Sequence, residues 1–196
     1  MRADIPQIIA KEEIRNLPII AFDGEIVIVE QGQYVQDAVD FLTQFDVIGF
    51  DTETKPSFKK GSSNQHKVAV LQLYADGRAY LFRLNKYGLP DALADLMANP
   101  NILKVGAAVR DDIKGLKALN PFKDAGFVDI QNIAAKLEIE VRSLRKLTAM
   151  FYSHRLSKTQ QLSNWEIDKL SQAQAVYAAT DAWISYELYR KMQAFL

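Results

Sequence analysis

The chain has 196 residues, enough for one domain with a substantial core. Basic and acidic side chains balance at 24 each, so it lacks the cationic excess of a protein that coats nucleic acid regardless of sequence. The absence of cysteine excludes disulfides and thiolate metal sites, and His66 and His154 lie far apart in sequence, which argues against zinc. Any metal would be held by oxygen or imidazole ligands. The first eleven residues lack the apolar run of a signal peptide, and no window reaches the length of a membrane span. A cytoplasmic location without membrane contact is the expectation.

Pro6, Pro18 and the Phe22-Asp23-Gly24 turn signal make residues 1–25 read as an extended lead-in. Ile26 to Val29 is β-branched and predicts a strand. Val39, Leu42 and Phe45 recur at helical spacing within 37–45. Val47 to Glu53 predicts a buried strand that runs into two carboxylates, and Pro56 to Gln65 a polar, basic loop. Lys67 to Tyr74 and Ala79 to Leu84 predict two strands joined by an Asp76-Gly77 turn. A helix follows over 89–97, with Pro90 at its start, then a strand over 102–108 and a helix over 111–119. Phe127 to Ile130 is a short strand or turn, and helices are expected over 132–137, 143–151 and 171–195. A strand meander, then strand–helix units, then helices give an α/β or α+β domain with a mixed central sheet. No repeat or linker divides it.

Three places carry chemistry. Asp51 and Glu53 stand two apart on a strand, so both side chains leave one face. They emerge at the strand's C-terminal end, where open α/β sheets place their sites. They are either two solvated acids or, if buried, a pair that needs a hard divalent cation to offset repulsion and lost solvation. Asp111 and Asp112 follow the small residues Gly106, Ala107 and Ala108. They either complement a helix dipole or face something that approaches this turn closely. Tyr177 and Asp181 are four apart on a largely apolar helix and share one face, as a structural pair or as part of a site.

Taken together, Phe50-Asp51-Thr52-Glu53, then Gly106 to Asp112, then Tyr177 to Asp181 resemble the three motifs of the DEDD exonucleases. A tyrosine four residues before the last aspartate resembles the DEDDy subclass. Ser143-Leu144, Lys158 and Ser163-Asn164-Trp165 extend the resemblance to ribonuclease D and the Werner-syndrome exonuclease domain, over about residues 26 to 192. The resemblance implies a ribonuclease H-like fold with a mixed central sheet flanked by helices. It also implies one catalytic core over 26–192 and 3′-5′ hydrolysis of DNA or RNA by two magnesium ions, for which manganese would substitute. Asp51, Glu53, Asp112 and Asp181 would be the metal-binding acids. The family spacing from Gly106 selects Asp112 over Asp111. Tyr177 would position the attacking water.

The expected partner is a nucleic acid with a free 3′ end, single-stranded. For grip, Lys55, Lys59, Lys60, Arg110 and Lys158 are candidates for phosphates, and Phe58 for stacking on a terminal base. Each has an ordinary alternative as a solvated or loop-anchoring side chain. Trp165 and Trp183 read as packing residues, and neither histidine is assigned a part. The competing reading is an inactive binding or interaction module of the same fold.

Overall fold

Residues 68–75 are buried without a break, and such a strand must lie inside a sheet covered on both faces. In the computed structural model, which describes residues 8–56 and 67–196, this segment is β3, Val68–Ala75. The other strands are β1 Glu25–Val29, β2 Val47–Thr54, β4 Arg78–Phe82, β5 Leu103–Gly106 and β6 Phe127–Asp129. They form one sheet of order β1-β4-β3-β2-β5-β6. β3 runs antiparallel to β2 and β4, whereas the β1–β4, β2–β5 and β5–β6 pairs are parallel. Asp76 and Gly77 close the β3–β4 hairpin with φ of 45° and 76°, the positive angles that match strand twist in a two-residue turn.

The helices are α1 Lys11–Asn16, α2 Val35–Leu42, α3 Leu84–Tyr87, α4 Asp91–Ala98, α5 Val109–Lys117, α6 Ile130–Lys136, α7 Leu144–Tyr152 and α8 Gln172–Gln193. One sheet face presents Ile48, Phe50, Leu71 and Phe82 to apolar residues of α2, α4 and α5. The opposite face presents Val70, Tyr74 and Leu81 to Ala175, Ala178, Ala179 and Ala182 of α8. The far side of α8 packs Ile184 and Leu188 among residues of α6 and α7. Thus α8 is enclosed, which explains its apolar character on several sides. No helix among the described residues is long and apolar enough to cross a membrane.

A mutual cap starts α8. The Ser171 hydroxyl accepts from the Gln174 backbone N–H at 3.2 Å, and the Gln174 side chain accepts from the Ser171 N–H at 3.0 Å. The Gln174 amide then donates to Ser163 Oγ at 3.0 Å and the Asn164 carbonyl at 3.2 Å. The Ser163-Asn164-Trp165 segment is therefore the strap that fixes where α8 begins.

The sheet and long helices follow the sequence-based expectation, and several boundaries do not. The expected extended lead-in contains α1, whose Ile14 is buried, and Ile19 bridges to Arg155. α5 begins at Val109 rather than Asp111, and α6 at Ile130 rather than Asn132, because the Asp129 side chain caps it. Leu84, expected to end a strand, opens the single turn of α3. The expected 56–65 loop lies outside the described residues apart from Pro56.

Gly49 lies on the α8 face of β2, and a β-carbon there would stand 2.1 Å from the Ala182 carbonyl oxygen. That contact is with backbone, so the helix would have to move. Gly49→Ala is expected to lower unfolding free energy by about 1–3 kcal/mol, the usual penalty of overpacking. Urea denaturation measures it; an unchanged midpoint would show that α8 tolerates displacement.

Candidate active site

The alternation of β2 places Gly49, Asp51 and Glu53 on the face covered by α8, and Phe50 and Thr52 on the other. Because Gly49 lets α8 sit close, Asp181 arrives beside the two strand carboxylates. Each of Asp51, Glu53 and Asp181 offers a carboxylate oxygen, and these oxygens lie within 4.8 Å of one another. Asp181 is only 8% exposed. Three acids so close, one of them buried, fit a hard divalent cation by charge and donor type.

Asp112 reaches the site from the other side of β2. The Thr52 hydroxyl donates a short hydrogen bond to Asp112 Oδ1, so this carboxylate stands next to the three-oxygen group and outside it. The turn before α5 is tight. A β-carbon on Gly106 would lie 2.7 Å from the Phe50 carbonyl oxygen, and Ala108 adopts φ 58°. Asp129 holds that turn by accepting from the Ala108 N–H at 3.1 Å and the Gln131 N–H at 2.9 Å. Asp111 is exposed.

The electrostatics follow from crowding. Burial, then repulsion from Asp181, Asp112 and Glu53, hold the Asp51 carboxyl well above the usual range. Burial and the same neighbouring acids push Glu53 to about 9. Burial raises Asp181 to about 7, partly offset by a hydrogen bond from Tyr177. Asp112 is raised mainly by burial, and its bond from Thr52 opposes the shift. Burial and the adjacent carboxylates raise the Tyr177 phenol, so it keeps its proton. The Tyr177 ring lies 6.0 Å from that of Trp165, which is wholly buried.

The 3′-5′ exonuclease family model matches residues 26–196. The chain belongs to the 3′-5′ exonuclease family. The mouse bifunctional 3′-5′ exonuclease/ATP-dependent helicase WRN is 32% identical over 187 residues, covering 90% of this chain and 13% of that protein. A 3′-5′ exonuclease of Arabidopsis thaliana is 28% identical over 199 residues, covering 91% of this chain and 67% of that protein. Among solved structures, the EXO domain of Aedes aegypti Nibbler superposes with TM-score 0.78 at 22% identity, covering 88% of each chain. Escherichia coli RNase D, an exoribonuclease involved in structured RNA processing, gives TM-score 0.78 at 17% identity. It covers 87% of this chain and 45% of that one. These two likenesses carry the fold, which is ribonuclease H-like as expected.

In this family member Asp51, Glu53 and Asp181 share a cavity of about 320 Å³ with Tyr177, Lys158 and Arg145. Of the residues singled out for grip, Lys158 lines that cavity. Lys55 is instead paired with Glu166 at 3.2 Å, which ties the end of β2 to the strap before α8. Arg110 is exposed and lines a separate groove beside α5. Phe58, Lys59 and Lys60 lie outside the described residues, as does His66. His154 Nδ1 contacts the Tyr152 carbonyl at 2.6 Å at the end of α7 and does not line the cavity. Trp165 and Trp183 are packing residues, Trp183 lying against Phe22 at 5.9 Å. Sequence reasoning missed Arg145, which is distant in sequence from every acid in the site.

In the unfolded chain these carboxyls titrate near pH 4. Folding raises their affinity for protons, so their contribution to stability is complete below about pH 4. It is lost as pH climbs through about 7 for Asp181 and about 9 for Glu53. The melting temperature in EDTA is therefore expected to fall between about pH 5 and pH 9, and Glu53→Gln to flatten the fall. A melting temperature that rises over that interval, with the same slope in Glu53→Gln, would contradict the protonated cluster.

Proposed function

We propose that this family member removes nucleotides from the 3′ end of single-stranded DNA or RNA by a two-metal-ion mechanism. The observation that carries the reading is the three carboxylate oxygens within 4.8 Å of one another, on a cavity that also presents a tyrosine and two cations. Magnesium is the proposed ion, with manganese as substitute, since oxygen donors without sulfur suit a hard cation. Two such ions, when bound, neutralise the phosphate and stabilise the attacking and leaving oxygens. Asp51, Glu53 and Asp181 hold them, and Asp112, oriented by Thr52, supplies the fourth carboxylate.

Tyr177 acts as a neutral phenol in this scheme. Its pKa is raised above the ordinary value of 10.0, so it orients water through its hydroxyl and does not serve as general base. The fit of Tyr177 between Asp181 and the Trp165 ring holds it for that task. The sugar preference stays open in the proposal. The likeness to mouse WRN favours neither polymer by itself, and the Trypanosoma brucei RNase D in complex with RNA U12 shares the fold at 18% identity. A cytoplasmic setting completes the proposal.

The test is a 5′-fluorescent strand, DNA and RNA in parallel, incubated with Mg²⁺ or Mn²⁺. The expected result is a ladder that shortens from the 3′ end, abolished by Asp51→Asn and by Asp181→Ala. Asp112→Asn is expected to be severely impaired, while Asp111→Asn stays within about twofold of the parent, as exposed substitutions do. Strand binding with no shortening would support the inactive module instead, and metal-dependent activity in purified Asp181→Ala would overturn the assignment.

A further inference from the structure

The cavity is lined by both signs of charge: by Asp51, Glu53 and Asp181, and by Lys158 and Arg145, the latter in the first turn of α7. Lys158 is exposed and hydrated, whereas Arg145 is half-buried. Its Nε is shut off from solvent and has no hydrogen-bond partner. Other buried or half-buried cations are engaged: Arg83, whose Nε is likewise unpartnered, through its terminal nitrogens with the Ile167 and Asp168 carbonyls, Arg78 with Glu25, Lys104 with the Asn99 and Ile102 carbonyls. Among the described residues Arg145 forms no ion pair, although it borders a cavity lined by acids. A guanidinium N–H shut off from water and left unpartnered is costly unless an oxygen takes it.

We infer that Arg145 is a substrate-positioning residue that grips a phosphodiester of the bound strand in the cavity it shares with the acids. This inference rests on the proposed exonuclease reading. The planar guanidinium fork matches two phosphate oxygens at once, which fixes the strand in register as well as attracting it. The acids repel a polyanion until cations neutralise them, so a fixed cation in the same cavity gives the strand a defined point of attachment. Arg145 touches the strand away from the reacting atoms, and its loss weakens binding more than turnover.

The experiment pairs the variant with neutralised linkages. Single-stranded substrates carry one uncharged methylphosphonate, placed in turn at each of the linkages nearest the 3′ end. Turnover is followed in Mn²⁺ and binding by fluorescence anisotropy in Ca²⁺. Arg145→Ala is expected to raise KM and Kd about tenfold on the all-phosphate strand, the size of a lost charged hydrogen bond, with kcat nearly unchanged. The penalty should vanish on the one substrate whose neutral linkage is the contacted one and persist on the others. Arg145→Lys, which keeps charge and loses the fork, should fall between. An equal penalty on every substrate, or no penalty, overturns the proposal. So does loss of the Mn²⁺-induced thermal shift in Arg145→Ala, which would mean that Arg145 supports the acid cluster. Wild-type protein that binds strands without shortening them defeats the exonuclease reading while the Kd pattern still reads Arg145. Wild-type protein that does neither removes both.

Discussion

The closeness of α8 to β2 governs this molecule. It depends on a residue without a side chain, Gly49, lying under the Ala182 carbonyl. Ala178, Ala179 and Ala182 keep the helix surface low along the same contact. Small residues usually serve packing alone, but here the packing distance sets a chemical distance. Asp181, on that helix, meets Asp51 and Glu53, on that strand, only because the backbones approach so nearly. The strap from Ser163 to Trp165 and the mutual cap of Ser171 and Gln174 fix the helix in its lengthwise register.

From that approach the electrostatics follow. Carboxylates brought together in a partly dry site repel one another and lose solvation, so the metal-free cluster holds protons that isolated acids would have released. The site is thereby poised for cations: each ion that enters replaces protons and relieves repulsion. Tyr177 is held in the opposite sense, kept neutral by the same burial and negative charge. Arg145 and Lys158 line the same cavity as the acids, and the proposal sets them against the phosphates of the strand.

Much of this was legible in the sequence because it is written in local periodicity. The two-residue spacing of Asp51 and Glu53 and the four-residue spacing of Tyr177 and Asp181 each dictate a shared face. The small residues before Asp112 announced a close approach, realised where Gly106 meets the Phe50 carbonyl. Asp76-Gly77 announced its turn. What the sequence hid depends on contacts between distant segments. α1 has six residues, no side-chain cap and one buried residue, so apart from the charges of Glu12, Glu13 and Arg15 little local distinguishes it from an extended arm. Lys55 looked like a phosphate ligand because its partner, Glu166, is more than a hundred residues away. Arg145 carries no local signal in the sequence, and only the fold brings it to the cavity lined by the acids. Family spacing points to Asp112 over Asp111, which is exposed, but the tether of Asp112 to Thr52, from the opposite face of the strand, is visible only in three dimensions.

The central claim is that one tight helix–strand contact creates a cluster of carboxyls that stays protonated until divalent cations displace the protons. Calorimetric titration of Mn²⁺ at neutral pH, repeated in buffers of different ionisation enthalpy, counts those protons directly. The account predicts release of about one proton or more per protein on binding, since Glu53 titrates at about 9 and Asp181 at about 7. Tight Mn²⁺ binding with no proton release would contradict it.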